Sequence, residues 1–174
     1  MVSTLRRKGN ELVRSMNSHQ LIWLLIALAV VILDQWTKYL VSSALTFGDR
    51  VVVLPFLDLI YARNPGAAFS LLADAGGWQR WFFTLVALGM SVVLVIWLLR
   101  LPRGSKWMPV TLTLVLGGAI GNVIDRIRFG YVEDFILLYW QDYMFPAFNV
   151  ADMAITAGAI MLIIDAFVLS HGKQ

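Results

Sequence analysis

The sequence has no cysteine and two histidines, His19 and His171, one near each end. Without cysteine there is no disulfide framework, no thiol nucleophile and no cysteine-based metal site. With two such distant histidines, a Ser-His pair or a zinc site of the His-Glu-x-x-His type has nothing to build from. Charge is scarce too: 14% of the 174 residues are charged, and the formal net charge is +3. Basic residues form short blocks beside apolar runs instead of alternating with aromatics along one surface, which argues against a nucleic-acid partner. What abounds is apolar, 59% of the residues. That is far more than a soluble domain can hide, so the composition calls for lipid.

A hydrocarbon core of ~30 Å needs about 20 helical residues to cross it. Four apolar runs meet or approach that length, roughly at 21–41, 81–99, 109–124 and 150–169. The third is short, but Leu116-Gly-Gly-Ala-Ile-Gly121 supplies small residues that let helices approach closely in lipid, which places it centrally. Val51–Ile60 is apolar but carries Pro55 and Asp58, so it reads as a strand, followed by a turn at Asn64-Pro65-Gly66. Phe135–Phe148, aromatic-rich and broken by Gln141, Asp142 and Pro146, has the composition of a segment lying on the membrane surface at headgroup level.

Arg6, Arg7, Lys8 and Arg14, then Arg100, Arg103 and Lys106, and finally Lys173 flank the spans. The positive-inside rule puts these segments in the cytoplasm, both termini included. The polar connections Ser42–Arg80 and Asp125–Asn149 then fall on the outer face, where function is expected. The start of the chain also imitates a secretory signal ending at Ser42-Ser43-Ala44. Its apolar run is long for a signal core, and Asp34 and Lys38 interrupt its end. The expectation is one integral-membrane domain over 1–174, with a basic cytoplasmic extension at 1–20.

Charges inside a span cost roughly 2.5–3.5 kcal/mol each, so they need a partner or a purpose. Asp34 and Lys38 are four apart on one helical face and suit an ion pair, unless Lys38 merely snorkels to the surface. Gly118, Asn122 and Asp125 fall on one face of the third helix, with Arg126 following. They form either an exposed terminus or a hydrogen-bonded support facing the bundle. Asp152 lies three residues after Asn149, a position that suits a helix cap, and Asp134 alone would be a solvated loop acid. Together, however, Asp134 and Asp152 both adjoin apolar sequence at the outer edge and could meet where the third and fourth helices join. Two close carboxylates cannot both ionise easily, so one serves as base toward water and the other as acid toward a carbonyl. Two rivals stand beside this reading. Lys38 and Ser42 are spaced for a Ser-Lys nucleophile pair, and a transporter or lipid-binding subunit would use buried acids to carry ions.

Five blocks in order, DQWTK at 34–38, RNPGAAFS at 63–70, GNVIDR at 121–126, GYVEDF at 130–135 and FNVAD at 148–152, resemble lipoprotein signal peptidase (signal peptidase II) of the bacterial inner membrane. The resemblance implies an aspartic endopeptidase that needs no cofactor and no metal. Its substrates would be prolipoproteins carrying a diacylglyceryl-cysteine, cut just before that cysteine. It assigns the catalytic pair to Asp134 and Asp152 and supporting roles to Asp34, Lys38, Asn64, Gly66, Asn122, Asp125, Arg126, Asn149 and Ala151. Asn64 is the position expected to hold the substrate backbone. The implied fold has four transmembrane helices, a small periplasmic sheet and a short interfacial periplasmic helix, in a monomer surrounded by membrane lipid. Glu133 departs from the pattern, which has a small apolar residue there. A third acid beside the pair would either raise its pKa or point to water. Pro65 is a milder departure that restricts Asn64 to extended conformations.

Overall fold

The structure, a computed structural model, describes residues 18–66 and 77–169. The basic blocks before residue 18, the second half of the RNPGAAFS block and Lys173 lie outside the described residues. Among the described residues, four helices are long and apolar enough to cross a membrane. They are α1 (Ser18–Ala44), α2 (Trp78–Arg100), α3 (Trp107–Arg128) and α4 (Val150–Ile164), the last continuing into a π-helical turn, Asp165–Leu169. The third helix exceeds its expected span at both ends. Pro109 sits in its first turn, where no intrahelical N–H bond is lost, and Asp125 and Arg126 are still helical. Helix α1 runs unbroken through Ala44.

Helix α3 packs against α1, α2 and α4 and is the most buried of the spans. Its glycines make this possible: a side chain at Gly118 would collide with the Ala151 carbonyl of α4, and one at Gly117 would fall 2.7 Å from Val30 Cβ of α1. Away from these seams the helices present Leu, Ile, Val, Phe and Trp outward, as lipid-facing surfaces do. Buried Thr84, Ser91, Thr111 and Thr113 give their hydroxyls to carbonyls one turn back, so none is left unpaired in the apolar interior.

Two bonds identify one end of the bundle. Gln20 Nε2 donates to the Leu99 carbonyl at 2.8 Å, joining the start of α1 to the end of α2. Trp107 Nε1 donates to the Met161 carbonyl at 3.3 Å, joining the start of α3 to the end of α4. The opposite end carries an antiparallel sheet, β1 (Arg50–Leu54), β2 (Leu57–Asn64), β3 (Val132–Trp140) and β4 (Tyr143–Met144), ordered β1-β2-β3-β4.

Two expectations are corrected here. Val51–Ile60 is two strands, because Pro55 and Phe56 form a tight turn that pairs Leu54 with Leu57, and β2 runs on to Asn64. Phe135–Phe148 belongs to the sheet. Its first residues pair with β2, and Phe148 O accepts bonds from the Phe135 and Ile136 amides. Val132–Trp140 is a strand because it pairs with β2, buried at its start and exposed toward its end, and an aromatic run alone does not separate that from an interfacial segment. Only the distal tip has the exposure expected of the whole, with Trp140 73% and Tyr143 72% exposed. The short outer helix is not found among the described residues.

Candidate active site

Helix α1 brings Asp34, Gln35 and Lys38 to the sheet end of the bundle. Lys38 does not snorkel: it is 2% exposed, and its Nζ lies 2.8 Å from Asp34 Oδ2, 2.7 Å from Asp125 Oδ2 and 3.2 Å from Asn122 Oδ1. One cation shared by two carboxylates offsets one of their charges, and Gln35 and the Ala151 amide hydrogen-bond to the same acids. Asp34 spends its other oxygen on the start of α4, accepting from Ala151 N at 2.9 Å. Helix α3 must come close for this, since a methyl at Gly121 would fall 2.6 Å from Asp34 Oδ2.

Asp125 accepts from the Glu133 amide at 3.2 Å with the oxygen that meets Lys38, and so fixes the start of β3. Asn122 donates to Asp152 Oδ1 at 2.8 Å. The polar stripe of α3 is therefore a support facing the bundle. Arg126 is half-buried over the Phe83 ring, 5.7 Å from its centroid, and donates to the Asn122 carbonyl at 3.4 Å. It lies within the electrostatic reach of Asp125, Asp134 and Asp152.

Asn149 joins the two acids. Its side-chain oxygen accepts from Asp152 N at 2.9 Å and Asp152 Oδ2 accepts from Asn149 N at 3.3 Å, a complete capping box. Its Nδ2 donates to Asp134 Oδ1 at 2.7 Å. Asp152 is thus both a helix cap and the neighbour of Asp134. On the other side of Asp134, Oδ2 accepts from Asn64 Nδ2 at 3.1 Å. Asn64 Oδ1 in turn accepts from Gly66 N at 2.9 Å. Gly66 has φ +108°, and a side chain there would fall 2.6 Å from the Phe83 ring, so only glycine closes this turn.

Burial, and then the negative charge of Asp152, push the Asp134 carboxyl up to about 7; the Asn64 and Asn149 bonds and Lys38 oppose that rise. Near neutrality such a pair can hold one proton between two acids. One carboxyl can then accept a proton from water while the other donates to an oxygen or a leaving nitrogen. Glu133 does not point to water. It is buried on the other face of β3, where Oε1 accepts from the Tyr61 hydroxyl at 2.7 Å. Ser42 does not meet the Lys38 ammonium; its Oγ donates to the Lys38 carbonyl at 2.9 Å.

Every candidate residue among the described ones gathers at this end. Sequence reasoning missed Gln35, whose Nε2 donates to Asp125 Oδ1 at 2.7 Å and lies 3.2 Å from both Asp34 Oδ2 and the Gly121 carbonyl. A polar residue beside Asp34 in an apolar run was the available signal. Tyr61 and Phe83 carried none.

The family description "Signal peptidase (SPase) II" matches residues 26–168. The lipoprotein signal peptidase of Acinetobacter baumannii is 55% identical over 155 residues, covering 89% of this chain and 88% of that one. That of Pseudomonas putida is 55% identical over 150 residues, 85% of this chain and 88% of the other. A solved bacterial membrane enzyme superposes with a TM-score of 0.78 at 36% identity, covering 88% of this chain and 92% of its own. With four membrane-crossing helices, a small sheet over one end and buried acids beneath it, this chain belongs to the signal peptidase II family of aspartic peptidases.

Proposed function

We propose that the chain removes the signal peptide from prolipoproteins whose cysteine carries a diacylglyceryl group, cutting immediately before that cysteine, with Asp134 and Asp152 as the catalytic pair. The observation that carries this reading is Asn149, which holds both acids at once, one through its side-chain amide and the other through its backbone N–H. A water between the carboxyls loses its proton to the ionised member and attacks the scissile carbonyl, whose oxygen takes the proton held by the other. The same proton traffic reversed delivers a proton to the leaving amine. Asn64, bonded to Asp134 and set at the end of β2, positions the substrate backbone. Asp34, Lys38, Asn122, Asp125, Asn149 and Ala151 hold the pair, while Gly66 and Arg126 border it with Phe83.

Orientation follows from charge. Arg100, Arg103 and Lys106 connect α2 to α3 at the end away from the sheet, and the positive-inside rule makes that end cytoplasmic. The acids then stand on the periplasmic side, where a translocated precursor presents its cleavage site. Both come from one chain, so a monomer suffices.

The test is cleavage of a diacylglyceryl-modified precursor by purified protein in detergent. Asp134→Asn and Asp152→Asn each lower kcat by about a thousandfold, the scale of a lost acid-base group, with folded protein retained. An asparagine variant that cleaves normally removes that aspartate from the mechanism.

A further inference from the structure

Pairing between β2 and β3 is regular except at one place. Leu57, Asp58 and Leu59 stand across from Leu138, Leu137 and Ile136, whereas Ala62, Arg63 and Asn64 stand across from Asp134, Glu133 and Val132. Ile60 and Tyr61 therefore share the position opposite Phe135, a one-residue bulge on β2. Side chains alternate along a strand, so one extra residue exchanges the two faces of everything beyond it.

The consequence falls on the site. If the pairing at Leu59 continued unbroken, Tyr61 would oppose Asp134 and Arg63 would oppose Val132, both on the face of Asp134. Asn64 would turn to the other face. With the bulge, Asn64 shares the face of Asp134 and bonds to it. Arg63 faces away, its guanidinium 4.8, 5.5 and 5.0 Å from the ring centroids of Phe47, Tyr61 and Tyr131.

Hydrogen bonds on both sides hold the bulged residue. Tyr61 N donates to the Asp49 carbonyl at 3.2 Å, and the Tyr61 carbonyl accepts from Gly48 N at 3.0 Å, which ties the backbone toward β1. Toward β3 the Tyr61 hydroxyl donates to Glu133 Oε1 at 2.7 Å, and Tyr131 and Arg63 also lie in its hydrogen-bonding surroundings. A slip to the unbroken register would leave the buried Glu133 carboxylate without its partner, which is costly away from water.

We propose that the Tyr61–Glu133 hydrogen bond is a register lock that selects Asn64 over Arg63 as the β2 side chain beside Asp134, making Tyr61 and Glu133 positioning residues for the reaction. The inference rests on the reading of Asp134 as a catalytic acid. A slipped strand would replace a neutral amide donor by a cation and hold Asp134 ionised.

The absence of native cysteine gives a direct register assay. Cα-paired positions on adjacent strands are within disulfide reach, and positions one residue out of register point to opposite faces. Asn64→Cys with Val132→Cys crosslinks readily in the otherwise native chain, and Arg63→Cys with Val132→Cys does not. Adding Tyr61→Phe, which deletes one oxygen, or Glu133→Val shifts crosslinking toward the second pair, while Glu133→Gln, which keeps an acceptor, leaves it on the first. In the cysteine-free enzyme, Tyr61→Phe and Glu133→Val lower kcat about tenfold, a loss on the scale of one buried hydrogen bond. In an Asn64→Ala background they lower it less than about twofold, because the group they place is already gone. Unchanged crosslinking, or a full additional loss in that background, overturns the register lock. Cleavage by Asp134→Asn overturns instead the catalytic reading beneath it.

Discussion

At the end of the bundle away from the sheet, Ala27, Leu94, Leu98, Leu112 and Leu116 meet with no charged side chain among them, whereas at the sheet end Asp34, Lys38, Asn122, Asp125 and Asn149 are buried just as completely. In lipid, apolar side chains gain little by leaving the solvent, so the first end is held mainly by shape and dispersion, with the Gln20 and Trp107 bonds at its rim. Its members are replaceable by others of similar volume. The second end is held by a network in which one cation and a few amides are shared among several carboxylates, and removing any of them strands another. The difference separates a region that keeps the helices together from one that sets where two carboxyls sit.

The largest break in this contrast is Lys38→Met. It strands Asp34 and Asp125 without their common cation, so we expect a loss of about 3 kcal/mol in stability together with loss of cleavage. Thermal unfolding in detergent and the precursor assay measure both. A variant as stable and active as the parent would mean that the network is dispensable. Next comes Leu98→Ala at the apolar end, expected to cost about 2 kcal/mol through the cavity left behind, with kcat at permissive temperature unchanged. A lower kcat at full folding would show that the two ends are coupled.

Asn64→Ala sharpens the comparison within the polar end. Its bond favours the ionised form of Asp134, so losing it raises that carboxyl further above about 7. If Asp134 supplies the acid, activity falls as pH rises through its pKa. The descending limb of kcat/KM therefore moves to higher pH by about one unit, the scale of one charge-assisted hydrogen bond, while kcat at neutral pH drops. A limb that stays put would assign it to another group. The smallest effect belongs to Ser42→Ala, which removes a hydroxyl already bonded to its own helix and leaves kcat unchanged; loss of cleavage would revive the Ser-Lys alternative.

Hydropathy, joined at the short third run by its small residues, was enough to find the spans, because the interior of a bilayer accepts few other sequences. The i, i+4 spacing of Asp34 and Lys38 likewise foretold their ion pair, and the cap at Asn149 was visible from residue type and position. The strand at Val132–Trp140 was not legible, since aromatic and branched residues suit a sheet and a membrane surface equally. Nor was the bulge at Ile60 and Tyr61, which has no glycine or proline to mark it and exists only because two distant segments pair. For the same reason the bonding of Glu133 to Tyr61 could not be seen: adjacent acids in a sequence look alike until a strand sends them to opposite faces.

The Asp34 bond to the Ala151 amide ties the first span to reach the membrane to the last. Until α4 arrives, Asp34 has one oxygen without its partner, and Asp134 has neither Asn149 nor Asp152 beside it. On the proposed pairing of Asp134 with Asp152, the capacity to cut peptides is therefore acquired only when α4 joins α1 and α3.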